Sequence, residues 1–168
     1  MLDFGIENYR PHWLNGRSAV LAAHGRPLHA LIGRPLTHAW LVWDVQDDEW
    51  FSDCPVLLDF TGEQVEINHA KLDDLSITWN TVDTHRPVLW PDFDLQWRHD
   101  IRPELHALQS QRLQDVELLE WAGTDMAQGT VAVSFHFPHG QLTIANALDE
   151  NGLTFGPPES RYLRHSLS

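Results

Sequence analysis

The sequence predicts a mainly β (or α+β) protein: antiparallel meanders in two consecutive β-units, with small barrel-like or sandwich-like sheets and one or two short helices. Three observations lead there. Residues 55–69, PVLLDFTGEQVEINH, read as strand, glycine-bearing loop and strand, and residues 132–146, AVSFHFPHGQLTIAN, repeat that plan. Further runs alternate apolar and polar residues with period two, the mark of a strand with unlike faces. Helical spacing is confined to two short segments.

In the first hairpin a four-residue loop, Thr61-Gly62-Glu63-Gln64, would set Phe60 opposite Val65, Leu58 opposite Ile67 and Val56 opposite His69 on one face. Asp59 would then face Glu66 on the other. In the second, the loop Pro138-His139-Gly140-Gln141 would set Phe137 opposite Leu142 and Phe135 opposite Ile144. A step of 77 residues superposes the two stretches and brings identical residues together at Leu36/Leu113, Val56/Val133, Phe60/Phe137 and Ile67/Ile144. The expectation is two related β-units.

Residues 1–30 form an N-terminal lead with a short helix at 18–24 that Gly25 ends. Gly25-Arg26-Pro27 and Gly33-Arg34-Pro35 read as turns entering short strands. The first unit spans 31–100. Its opening strand, 37–45, is apolar on both faces and should be covered on both. An acidic loop at 47–49, the hairpin, a strand at 75–79, a proline-bounded loop carrying Trp90 and a strand at 92–99 follow. Residues 101–111 hold a connecting helix, with Ile101, Leu105 and Leu108 at helical spacing, Asp100 as cap and Pro103 in the first turn. The second unit, 112–168, offers strands at 113–121, 130–137, 141–147 and 153–155, then a tail. No low-complexity linker divides the units, so one compact domain is expected.

A chain of 168 residues with eight tryptophans and seven phenylalanines has ample apolar area for a core. Its formal charge of −13, with Lys71 the sole lysine, argues against binding phosphate backbones and for a basic partner. The single Cys54 allows no internal disulfide. Neither a signal peptide nor a run long enough to span a bilayer is visible, so a cytoplasmic location is expected, with no membrane partner.

The chemistry-bearing residues are few. Asp59 and Glu66, opposed across the hairpin, are read as hydrated on an open face, the competing readings being a bridging arginine or a shared cation or proton. His69 falls on the apolar side, as a strand-end imidazole bonded to backbone. Asp44, Asp47, Asp48, Glu49 and Asp53 lack the ligand order and turn glycine of a calcium loop and read as a solvated acidic loop. Cys54 lies beside Asp53, which disfavours a nucleophilic thiolate. Most tryptophans belong to the core, but Trp50 with Phe51, and Trp90 between prolines, read as exposed loop anchors.

The functional expectation is a non-catalytic acidic binding module, inhibitor- or immunity-like or an assembly subunit. It would engage a basic protein through Trp50, Phe51, Trp90, Asp59 and Glu66. No catalytic residue, metal or cofactor is assigned. The alternatives are a tryptophan-lined small-molecule pocket and a metal-assisted or acid–base hydrolase using Asp59, Glu66 and His136.

Overall fold

The computed structural model describes residues 4–167. Met1 to Asp3 and Ser168, at the ends of the expected lead and tail, lie outside it. The protein is mainly β, with two open antiparallel sheets. One contains β1 (Trp13–Leu14), β2 (Leu36–Asp44), β3 (Glu49–Trp50), β4 (Val56–Phe60), β5 (Glu63–His69), β6 (Leu75–Trp79) and β7 (Leu95–Arg98), in the order β1-β6-β5-β4-β2-β3 with β7 also on β2. The other contains β8 (Asp115–Trp121), β9 (Val131–Phe137), β10 (Gly140–Asn146), β11 (Asn151–Phe155) and β12 (Tyr162–Ser166), in the order β11-β10-β9-β8-β12. Helix α1 spans Arg17–His29 and α2 spans Pro103–His106.

The apolar faces of the two hairpins meet. Val56, Leu58, Phe60, Val65 and Ile67 of the first sheet share one core with Val133, Phe135, Leu142 and Ile144 of the second, all fully buried. The Phe60 ring stacks on Phe135 and Phe137 at 6.0 and 6.4 Å. Each such side chain contributes roughly 1.5–3 kcal/mol by leaving water. The other face of the first sheet is covered as well. Ile6, Tyr9, Val82 and Val88, from segments with little regular structure, pack on Val42, Leu57, Leu95 and Trp97 in a second cluster. The opening strand is thus covered on both faces, as its composition implies.

Both hairpins are tighter than the sequence suggests. The turns hold two residues, Thr61-Gly62 and Pro138-His139, so Phe60 pairs with Glu63, Leu58 with Val65 and Val56 with Ile67. Phe137 pairs with Gly140 and Phe135 with Leu142. Gly62 at φ 88° takes the left-handed conformation the tight turn requires. Each register slides by two residues. Because two is even, every side chain keeps its face, and the in/out assignment survives the correction.

Helix α1 runs through Gly25 and Pro27, where a helix end and a turn were expected. An interior proline costs about 3 kcal/mol and a glycine up to about 1 kcal/mol. Val20, His24 and Leu28 recur on one buried face, and burying Val20 and Leu28 is the term large enough to offset that cost. Of the two Gly-Arg-Pro echoes, the second alone is a turn leading into a strand. The tail adds a strand, β12, paired with β8.

A buried polar lock joins the sheets. Asn151, 2% exposed at the start of β11, shares its two Nδ2 hydrogens among the carbonyls of Ser52 and Cys54 and Asn68 Oδ1, the last at 2.7 Å. Its Oδ1 accepts the His69 amide at 2.8 Å. Asn151→Ala leaves the Cys54 carbonyl, Asn68 Oδ1 and the His69 amide without this partner, the Ser52 carbonyl keeping the backbone amide of residue 151, and each buried orphan costs about 1–3 kcal/mol. The expected loss is about 3 kcal/mol or more, measured by urea unfolding; a loss below about 1 kcal/mol would show the lock to be dispensable.

Candidate functional site

Asp59 and Glu66 are not the hydrated pair their spacing suggests. The slipped register sets Asp59 opposite Gln64 and Glu66 opposite Leu57. Their common face is the one that residues 4–10 and 80–94 cover, so Glu66 is fully buried. Its carboxylate accepts from Thr78 Oγ1 at 2.6 Å, from the Thr81 amide at 2.7 Å and hydroxyl at 2.5 Å, and from the Val82 amide at 3.2 Å. These donors pin the start of the covering loop. Asp59 is half-buried and accepts Trp40 Nε1–H at 2.9 Å. Among the described residues no arginine bridges the two.

The hydrolase constellation does not assemble. His136 lies on the outer face of the second sheet, across the core from the face that holds Asp59 and Glu66. There its Nε2 stands 2.5 Å from Glu117 Oε1, and Arg164 grips the same carboxylate through Nε at 2.9 Å and Nη2 at 2.5 Å. The arginine bonds hold the Glu117 carboxyl below its ordinary range, with the His136 charge adding to them. Thr143, beside His136, is buried and bonded to Ser134 at 2.9 Å. The face is a structural ion-pair network.

His69 is fully enclosed. Its Nδ1 meets Asn151 Oδ1 at 3.1 Å and its Nε2 meets the Val131 carbonyl at 3.2 Å. A neutral imidazole has one N–H and serves one of these oxygens only. Desolvation nevertheless lowers its pKa and outweighs both contacts, so the ring is neutral. Cys54 is equally enclosed, and burial first, then Asp53, pushes its thiol well above its usual value. Asp44, Asp47 and Glu49 do converge, with ligand atoms within 4.8 Å of one another. Asp44 Oδ1 already accepts the amides of Gln46 and Asp47, each at 3.1 Å, and the other two acids are exposed.

The aromatic anchors divide. Trp50 packs half-buried against the main core and pairs across strands with Trp43, so it is no free anchor. Phe51 and Trp90 do come together, centroids 4.8 Å apart, and Phe93 joins Phe51 at 4.9 Å. Phe93 is 45% exposed and Leu89 68%. Together with Pro87 and Pro91 they edge a groove of about 420 Å³. The support is stiff. Trp90 Nε1 donates to the Phe4 carbonyl, and the Leu89 amide donates to the Gly5 carbonyl at 2.9 Å. Gly5 sits at φ 69°, and a Cβ there would lie 2.1 Å from the Leu89 carbonyl oxygen, so only glycine allows this approach. Sequence reading missed Leu89 and Phe93 because Phe93 falls on a strand-like alternation and Leu89 stands alone in a loop.

A second apolar surface forms where the β5–β6 and β10–β11 turns dock. Asn146 Nδ2 donates to the carbonyls of Ala70 and Leu72, and Asp149 Oδ1 accepts the Leu72 amide at 2.8 Å. Leu72, Leu148 and Asp149 are held at φ 53°, 56° and 73°. For a leucine that conformation costs roughly 1–2 kcal/mol. The arrangement sends Leu72 and Leu148 outward, 61% and 98% exposed, beside Met126 at 89%. By contrast, the cleft walled by Trp79, Leu31 and Pro27 measures about 160 Å³, below the roughly 300 Å³ at which ligand pockets begin.

These placements set the pH response. Folded His69 refuses a proton that the unfolded chain accepts, so its stability term is full above about pH 6.5 and falls as pH drops below it. His24, lowered by burial and then by His12, acts with the same sign. The Glu117 term is full above about 4.5 and is lost as pH falls through its depressed folded value. Urea midpoints recorded from about pH 8 to about pH 3 are expected to drop in two stages, His69→Gln flattening the first and Glu117→Gln the second. A profile that His69→Gln leaves unchanged would contradict the neutral buried ring. Glu66→Leu would leave the Thr81 and Val82 amides without an acceptor, with an expected cost of about 2 kcal/mol or more by urea unfolding.

No protein-family model, curated protein or solved structure matches the chain, so a functional reading rests on this geometry alone.

Proposed function

We propose that the chain is a non-catalytic acidic binding module whose partner-facing surface is the aromatic groove of Leu89, Trp90 and Phe93, with Phe51 packed against the two rings. One observation carries the reading. Leu89 and Phe93 stand out of a rigidly supported groove, while Asp59, Glu66, His69 and His136 are all engaged in structural hydrogen bonds or ion pairs. Half-buried aromatics beside exposed apolar side chains are what hot spots are made of. Asp92 and Asp94 flank the groove and are exposed, and the chain carries 24 acidic against 11 basic residues. Such a field speeds encounter with a basic protein and repels nucleic acid. A cytoplasmic inhibitor-like protein or assembly subunit fits this description. Among the described residues no helix is long and apolar enough to cross a membrane.

We also read the two units as copies of one β-meander. Residues 63–69 and 140–146 are both strands under the 77-residue step, and Leu58↔Val65 maps onto Phe135↔Leu142. Ala39↔Leu58 likewise maps onto Val116↔Phe135. The final strand pair departs by one residue, Ile67↔Ile77 against Ile144↔Leu153. On this reading the first copy acquired the cover that bears the groove.

Affinity purification from the native cell, followed by mass spectrometry and elemental analysis, tests the assignment. The expected result is a basic protein retained by the wild-type chain and lost from Leu89→Ser/Phe93→Ser, with circular dichroism unchanged. Equal retention by the double variant, or a stoichiometric metal, would overturn it.

A further inference from the structure

The surface at the docked turns supports an inference that does not depend on the aromatic groove. Leu72, Met126 and Leu148 edge a pocket of about 350 Å³, with Thr130, Ala147 and Asp149 on its wall. That volume lies within the range of genuine binding pockets. Charge says what kind of partner would enter. Asp73, Asp74, Asp125, Asp149 and Glu150 stand within two residues in sequence of the three apolar side chains, against Lys71 alone. Asp149 lines the opening and Asp125 adjoins Met126, whereas Asp73 and Asp74 turn to Asn15, so two acids border the pocket in a chain of net charge −13. Two of those acids also build the platform: Asp149 caps the Leu72 amide, and Asp125 accepts Trp121 Nε1–H at 2.8 Å. The leucines therefore do not reach the surface by fraying. Left-handed backbone and the Asn146 and Asp149 bonds hold them there.

We propose that this pocket docks a cationic amphipathic segment of another protein. One large apolar side chain enters among Leu72, Met126 and Leu148, and flanking lysines or arginines meet the acidic rim. Apolar contact supplies the anchor, and the rim supplies orientation and a salt-dependent on-rate. A negatively charged segment of equal hydrophobicity is excluded by the same charges.

Methyl-labelled methionine gives a direct readout, because Met1 and Met126 are the only two methionines. Three synthetic peptides of equal length serve as probes: an alternating Lys/Leu helix former, its Glu/Leu counterpart, and a Lys/Gly chain of the same charge. The Lys/Leu peptide is expected to shift the Met126 methyl and the Leu72 and Leu148 amides, and to weaken with added salt. The Lys/Gly chain should bind at least about tenfold more weakly and the Glu/Leu peptide not at all. Met126→Ser/Leu148→Ser should weaken the Lys/Leu peptide at least about tenfold with the rest of the spectrum in place. Leu89→Ser/Phe93→Ser should leave that binding unchanged, which separates this pocket from the aromatic groove. The proposal is overturned if the Glu/Leu peptide binds as tightly or the shifts map elsewhere. It is equally overturned if the Met126 methyl moves on dilution of the protein alone, which would assign the pocket to a second copy of the chain.

Discussion

The first sheet is dry on both faces, and most of the molecule follows from that constraint. One face meets the second sheet through Phe60, Phe135 and Phe137. The other has no sheet or long helix to meet. It is covered by residues 4–10 and 80–94, whose backbone must find hydrogen-bond partners with little regular secondary structure. Glu66 supplies two amides and two hydroxyls with an acceptor, which is why a carboxylate sits at zero exposure. An acid is a costly thing to bury, and it is tolerated here because four donors surround it.

The cover also creates the surface on which function is proposed. Its inner side chains, Ile6, Val82 and Val88, seal the sheet, while Leu89 and Phe93 are left facing water. The groove is thus the outer side of a structural patch, and Gly5 links the two roles by letting the chain approach Leu89 closely. The docked turns follow the same logic on a smaller scale. Hydrogen bonds between two turns outweigh the strain of left-handed leucines and fix apolar side chains where water would otherwise fold them back.

The residues that invite a catalytic reading share a single explanation. His69 and Asn151 close the joint between the sheets, and His136, Glu117 and Arg164 complete the outer face of the second. Each satisfies its neighbours rather than projecting toward a cleft, and the perturbed groups among them owe their shifts to burial or to an ion pair within the fold. A shifted pKa marks a functional site only when the group also faces a place where a reactant could sit.

Period-two alternation by itself determined the antiparallel β class, the strand positions from Leu36 to Phe155 apart from the short β3, which the pattern reads as loop, and which side chains of each hairpin point to the core. Those properties are local, and an error of two in the register leaves them untouched. Only the tertiary structure decided that Asp59 and Glu66 lie under a cover, that Trp50 joins the core, and that Phe51 meets Phe93 across 42 residues of chain. It also decided that α1 continues through Gly25 and Pro27 and that Leu72, Met126 and Leu148 share one pocket. Alternation tells one face of a strand from the other, but not what lies over it. Whether a polar face meets water or a folded-back loop depends on contacts between residues far apart in sequence, and no local pattern records them.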